Sequence, residues 1–348
     1  MILKIEFLCG SIEKGKDGVG DYTRLLASSL ADYNVTTNMN EYNYWKGDLS
    51  ISDNNNILYS WQFVPYAYNS KGIVWPAVKP VLAELKKGCV HIMLHELWIG
   101  GVKTSTFKNK IIGYFQKRAI KKMLQEINPS LITTSTHFYK ACLKEIGFES
   151  EVLPIFSNIP KGNKDAISPL WTELSEEFAH RRKEYFIIIL FGNTAIYDNI
   201  NNDIEKVFRK INLESKKIIV AHIGKCNDAS KLLETISARF ACQTHVFGLR
   251  TESEVADILA QSDLGLSTYP KILYQKSGTI AAMLYNSLPV VLIREGFLAD
   301  LSRNEFVKEI DEVDDLCQYS KIRVHNSDDF GVKATVAKYR DLLNKHIK

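Results

Sequence analysis

The sequence predicts an α/β protein made of two doubly wound parallel sheets, and three observations carry that prediction. Strand-like and helix-like segments alternate almost without interruption, the pattern of parallel sheets with helices on both faces. The run YFIIILF from Tyr185 to Phe191 is continuously apolar, as a strand covered on both faces must be. At 348 residues the chain exceeds one ordinary core and suits two domains of about 150 to 190 residues each.

The first series has strands expected over residues 2–9, 35–41, 56–61, 89–95, 131–135 and 152–155. Helices fall between them over 20–33, 75–87, 107–127 and 136–146. In the third helix, Ile112, Phe115, Ala119, Ile120, Met123 and Leu124 recur at helical spacing. Pro160, Gly162, Asn163, Lys164 and Pro169 mark residues 157–183 as a linker. The second series has strands expected over 185–191, 217–223, 243–247, 263–268 and 289–293. A last helix over 331–347 places Val332, Val336, Tyr339, Leu342 and Leu343 on one side. The expected division is therefore an N-terminal domain over 1–160, a C-terminal domain over 184–330, and a terminal helix over 331–348.

The stretch from Ser262 to Leu292 holds the densest functional signal. A short apolar strand ends at Tyr269 and Pro270, and the loop 271–276 runs into Ser277-Gly278-Thr279, which opens an apolar helix. Ser277 is a natural N-cap, and Gly278 permits close approach to the backbone. The first N–H groups of such a helix lack partners inside it, and the aligned peptide dipoles favour a phosphate or diphosphate there. Lys276 adds a full positive charge just ahead of the cap. Pro289-Val290-Val291 then begins the next strand, so the helix start faces the carboxyl edge of the sheet, where open α/β sheets bind ligands.

Other candidates sit at strand ends. Gly18-Val19-Gly20 follows the first strand only after a loop of about ten residues and has Thr23 where a dinucleotide fingerprint needs a third glycine, which disfavours NAD. These glycines either form the turn into the helix or admit a phosphate or acceptor, with Asp21 able to accept from a hydroxyl. His95-Glu96 ends a buried strand; Ile99 stands where an H-E-x-x-H zinc site needs its second histidine. His95 either caps that strand end or meets a ligand. Trp61, Phe63, Tyr66, Tyr68 and Trp98 crowd the same loops, where aromatic rings serve either the core or sugar and lipid contacts.

The segment 262–292 resembles the donor site of family-4 glycosyltransferases of the GT-B fold. Gly18-Val19-Gly20-Asp21-Tyr22-Thr23, Trp61 to Tyr66, Leu94-His95-Glu96-Leu97-Trp98, Leu153-Pro154-Ile155, Ser157 to Pro160 and Phe247-Gly248-Leu249-Arg250 fall in the order of that family. The resemblance implies two Rossmann-like domains facing a cleft and transfer of a sugar from a UDP- or GDP-linked donor to a hydroxyl of a glycan or lipid-linked acceptor. It further implies retention of configuration, no metal and no other cofactor, and a C-terminal helix that braces the first domain. It places His95, Asp21 and Lys276 at the reaction, with His95 as a neutral partner of the donor sugar. Gly18, Gly20, Gly192, Asn193, Lys225, Gly248, Arg250, Tyr274, Ser277, Gly278 and Thr279 fall on the donor, and Glu96, Trp98 and Tyr66 on the acceptor.

The sequence also departs from the family pattern. Two glutamates eight residues apart are usual, and those positions are Tyr274 and Ala282 here. No basic residue lies between Gly192 and Glu205, where the family carries an Arg and a Lys, so Lys225, Arg250 and Lys276 remain to meet a diphosphate. A catalytically silent nucleotide-sugar-binding subunit of a glycosyltransferase complex, and an epimerase or phosphorylase on the same fold, are the competing readings.

Composition excludes other classes. The six cysteines lie far apart without a C-x-x-C pair, which argues against a zinc site or a disulfide framework and for a reducing, cytoplasmic setting. No stretch approaches the roughly 18 apolar residues of a membrane span. A pI of about 8.5 without a recognisable module gives no nucleic-acid partner. Residues 1–155 hold 18 Lys and Arg against 14 Asp and Glu, which accounts for the whole net charge of +4. Lys103, Lys108, Lys110, Lys117, Arg118, Lys121 and Lys122 share one acid-free stretch. Residues 103–124 are read either as the solvated face of a helix or as a peripheral contact with the inner face of a membrane that carries the acceptor.

Overall fold

Six parallel strands build the first sheet: β1 (Lys4–Cys9), β2 (Thr36–Glu41), β3 (Ile57–Phe63), β4 (Cys89–Leu94), β5 (Leu131–Thr134) and β6 (Glu151–Val152), in the order β2-β1-β3-β4-β5-β6. The computed structural model describes residues 4–13, 18–41, 56–100, 105–165, 168–175, 178–212, 216–294 and 304–347. Lys103 lies outside them. The helices of this part are α1 (Gly18–Ala31), α2 (Trp75–Leu85), α3 (Phe107–Ile127) and α4 (His137–Glu145). Each of the last two starts where a threonine can satisfy an orphan N–H: Thr106 accepts from Asn109 N at 3.3 Å, and Thr136 accepts from Tyr139 N at 3.0 Å. Helix α3 stops at Asn128, whose φ of +50° is left-handed. The strand order reverses between β1 and β3, which makes the carboxyl ends of those strands the switch point of this sheet.

The second sheet holds β7 (Tyr185–Phe191), β8 (Lys217–Ile223), β9 (Cys242–Gly248), β10 (Leu264–Ser267), β11 (Val290–Leu292) and β12 (Val307–Glu309), ordered β12-β11-β10-β7-β8-β9 and again all parallel. This is the doubly wound Rossmann order, with its switch point between β7 and β10. Ile187 and Ile189 face one core while Phe186, Ile188 and Leu190 face another, so both faces of β7 are covered and its sequence is apolar at every position. The helices are α5 (Phe178–Arg181), α6 (Ile200–Arg209), α7 (Ala229–Arg239), α8 (Glu252–Gln261), α9 (Gly278–Tyr285) and α10 (Leu316–Tyr319). A capping box between Thr251 and Glu254 opens α8. The three-residue strand β12 had no counterpart in the sequence reading.

The chain divides into two compact units, residues 1–156 with 332–348, and residues 157–331. The final helix α11 (Val332–His346) belongs to the first unit, where Val336, Tyr339, Leu342 and Leu343 share a core with Tyr22, Leu26 and Leu30 of α1 and Ile5 and Phe7 of β1. The segment 157–183, read from composition as a linker, belongs to the second unit, and its described residues contribute to that unit's core. Trp171 and Phe178 are buried there, their rings stacked 5.0 Å apart, and Trp171 Nε1 donates to Gln261 Oε1 at 2.8 Å. An indole needs both apolar cover and an acceptor when buried, and α8 supplies them.

Candidate functional site

At the switch point of the second sheet, the loop leaving β7 is held from four directions. Gly192 N donates to Ile223 O at 2.9 Å, and Gly192 O accepts from His222 Nε2 at 2.8 Å. Cys226 Sγ donates to Thr194 O at 3.7 Å, and Ala195 N donates across the switch point to Thr268 Oγ1 at 3.0 Å. Burial holds the His222 imidazole below its ordinary range, so its proton on Nε2 is engaged in a neutral hydrogen bond. Gly192 (φ +77°) and Gly224 (φ +100°) end β7 and β8 in left-handed conformations that a side chain would strain. A Cβ on Gly224 would come within 3.1 Å of Gly192 Cα, and one on Gly192 within 2.7 Å of Thr279 Cγ2. Bare backbone at β7 thus touches the first turn of α9.

That first turn has the predicted cap. Ser277 Oγ accepts from Ile280 N at 3.3 Å and is 2.9 Å from Thr279 Oγ1, which leaves the N–H groups of Gly278 and Thr279 without an acceptor inside the helix. A Cβ on Gly278 would meet nothing within 4 Å. Lys276, half-buried, closes the 3₁₀ turn before the cap, while Lys271 in the same turn pairs with Glu312. Tyr274 and Ala282, at the two positions of the glutamate pattern, are both buried in the core of this unit. Asn193 and Lys225 are exposed at the ends of β7 and β8. Arg250, just past β9 and Gly248, is bound to Glu173 at 2.7 Å, and His245 shares the same carboxylate at 3.2 Å. The arrangement can hold an anion by the backbone N–H groups that open α9.

In the first unit, the end of β4 meets the start of α1. His95 is 5% exposed; its N–H extends the β3–β4 ladder to Phe63 O at 3.1 Å, and its Nε2 donates to Gln62 Oε1 at 2.9 Å. Tyr22 presents its ring to His95 edge-on at 5.1 Å, which brings Gly20 and Asp21 of the same turn to this strand end. Gly18 is exposed, Gly20 is buried, and Asp21 bonds Arg24 at 2.7 Å. Glu96 and Trp98 are half-buried, with Lys117 Nζ 5.3 Å from the Trp98 ring. Tyr66 is exposed, and its hydroxyl accepts from Gln116 Nε2 at 3.2 Å. Gln116 is fully buried in α3 and also bonds Ile99 N at 2.9 Å and Lys71 O at 2.7 Å, fastening the loops after β3 and β4 to that helix.

Sequence reasoning missed His222, Thr268 and Gln62. His222 and Gln62 carried a readable signal as polar residues inside otherwise apolar strands, since a polar group buried there must find a partner. No protein-family model and no curated protein matches this chain. Among solved structures, it is similar to HepE from Anabaena in complex with UDP and glucose, at a TM-score of 0.60 and 13% identity, over 99% of this chain and 100% of that one. A glycosyltransferase from Rickettsia africae is similar at 0.57 and 12% identity, over 99% and 98% of the two chains. WaaG, a glycosyltransferase involved in lipopolysaccharide biosynthesis, is similar at 0.50 and 11%, over 97% and 99%. At these identities the likeness is one of fold, and the fold is GT-B.

Proposed function

We propose that this protein is a glycosyltransferase that moves a sugar from a nucleotide-diphosphate donor to a hydroxyl of a glycan or lipid-linked acceptor. The observation that carries the reading is the pinned Gly192 loop lying against the N-terminus of α9 at a Rossmann switch point, a cradle shaped for a diphosphate. A UDP-linked donor is favoured because HepE, of similar fold, was solved with UDP and with UDP-glucose. The anomeric carbon breaks its bond to the diphosphate and forms one to the acceptor oxygen, and the acceptor proton passes to the leaving phosphate oxygen. Retention of configuration and independence from metal belong to this proposal, as the sequence resemblance implies them. His95, neutral and oriented by Gln62, is assigned to the donor sugar, and Lys276 to the leaving diphosphate.

We assign the acceptor side to a membrane surface. Phe107, Ile111, Tyr114 and Phe115 form an exposed row on α3, with Lys108, Lys110, Arg118 and Lys121 exposed around them. An apolar row among the basic residues of a stretch of sequence without acids suits anionic lipid. No helix among the described residues is long and apolar enough to cross a membrane, so the contact proposed is peripheral.

Calorimetry with UDP, GDP, ADP and TDP, followed by a transfer assay with the matching sugars, tests the function. Saturable UDP binding with transfer to an added acceptor supports the reading. Binding without transfer from any donor would instead mark a silent subunit, and turnover without an acceptor would mark an epimerase. No binding of any nucleotide would end the proposal.

A further inference from the structure

Behind His95 runs a chain of polar side chains in the core of the first unit. Gln62, Ser60, His91, Thr133 and Tyr339 are each no more than 1% exposed. Gln62 Nε2 donates to Ser60 Oγ at 2.9 Å, and Ser60 Oγ is 2.8 Å from His91 Nδ1. His91 Nε2 is 2.8 Å from Thr133 Oγ1, which donates to Met93 Sδ at 2.9 Å. The Tyr339 hydroxyl of α11 joins at 3.2 Å from Ser60 and 2.9 Å from His91. Burying so many polar groups sacrifices hydration that apolar residues of equal size would not, so the chain costs stability that a plain core would keep. The amide nitrogen of Gln62 can only donate, so Ser60 accepts from it, while the Ser60 and Tyr339 hydroxyls both lie within reach of His91 Nδ1. The amide N–H₂ of Gln62 is thereby committed to Ser60, and its carbonyl is left to face His95. Burial pushes His91 down to about 3, so the chain carries no charge at neutral pH.

We propose that Gln62 is the positioning residue for His95, holding the imidazole as its neutral Nε2–H tautomer so that Nδ1 is the nitrogen that accepts. A carboxylate at that place would instead favour imidazolium; an amide accepts the same proton without drawing a charge onto the ring. Among the described residues, Tyr22 from α1 presents its ring edge to His95, and His91 precedes it on β4. The proposal rests on the transferase reading only for its consequence in catalysis, because the tautomer is a property of the first unit alone.

Nitrogen-15 spectra of the full-length, histidine-labelled protein test it. The expected result is a neutral Nε2–H signal for His95, with Gln62→Glu raising its titration by about one to three pH units and lowering kcat by at least tenfold with little change in KM. An Nδ1–H tautomer in the unaltered protein would overturn the proposal without need of any variant. So would a His95 titration unmoved in a folded Gln62→Glu protein, whatever happens to turnover. A titration that moves while kcat stays constant would uphold the role of Gln62 and remove His95 from the reacting centre. Absence of transfer in every protein would remove the transferase reading and leave the spectra to decide the tautomer.

Discussion

Gly192, at the end of β7, and Thr279, in the first turn of α9, stand so close that a Cβ on the glycine would lie 2.7 Å from Thr279 Cγ2. The glycine is also left-handed, with φ of +77°. Gly192→Ala therefore carries two penalties, a strained backbone and a collision, and is expected to cost about 1–3 kcal/mol together. Nucleotide affinity should drop at least tenfold as the two backbones are pushed apart. Adding Thr279→Ser removes Cγ2 and should recover the steric part but not the backbone part. Denaturant melts and calorimetry of the two single variants and the double variant measure this, and strict additivity would show that the side chains do not meet.

Ser277 separates the helix cap from the anion site. Its hydroxyl satisfies Ile280 N, so Ser277→Ala should lose about 1 kcal/mol of stability. Ser277→Asp keeps a capping oxygen and adds a charge that the helix dipole welcomes, so stability should hold. The same charge repels a diphosphate, and nucleotide affinity should fall by an order of magnitude or more. Equal affinity in Ser277→Asp and the parent protein would move the nucleotide away from α9.

The strand segments, the capped helix and the carboxyl-edge position of the candidate residues were legible because each rests on local pattern. Apolar runs of strand length, a serine before a glycine and a proline after a helix all act within a few residues of themselves. The fate of residues 157–183 was not legible, because turn-forming composition outweighed a single indole whose partner, Gln261, lies 90 residues away. The polar chain was hidden for the same reason. Tyr339 reads as one apolar position of an amphipathic helix, and only the fold brings its hydroxyl to His91 across 248 residues. Arg250 shows the converse: its charge was legible, but its pairing with Glu173 was not.

His91 should make the protein acid-sensitive well above the carboxylate range. Its folded value, about 3, lies below the ordinary 6.5, so below pH 6.5 the unfolded chain takes up a proton that the folded one refuses. Stability is then complete above pH 6.5 and is lost as pH falls from 6.5 towards 3, by about 2 kcal/mol at pH 5 from this residue alone. His222, lowered in the same direction by burial, adds to the slope. Melting temperature against pH should fall through this window, and His91→Gln should flatten the curve at some cost in stability at pH 8. An unchanged slope in that variant would mean that His91 titrates normally.

The exposed row on α3 gives the last prediction. Phe107 is 79% exposed, and Ile111, Tyr114 and Phe115 are between 44% and 54% exposed, so their side chains already face water and their replacement should leave stability within about 0.5 kcal/mol. Among the neighbouring cations, Lys117 is held by Glu145 at 2.7 Å and Lys122 by the Trp75 ring at 4.1 Å, while Arg118 bonds the Tyr114 hydroxyl of the row itself at 2.8 Å. Lys108, Lys110, Arg118 and Lys121 are therefore the charges to change, and each is worth about 1 kcal/mol at an anionic surface. Replacing all four by Glu should weaken sedimentation with phosphatidylglycerol vesicles by two or more orders of magnitude, and added salt should mimic it in the parent protein. Phe107→Ser with Phe115→Ser should weaken binding at every salt concentration, because insertion of rings is not screened. Loss of binding in the charge variant alone would reduce the row to a solvated helix face with incidental aromatics. Gln116 fastens this helix to the loops bearing Tyr66 and Trp98, so a bilayer held by the row would set the height at which an acceptor reaches them.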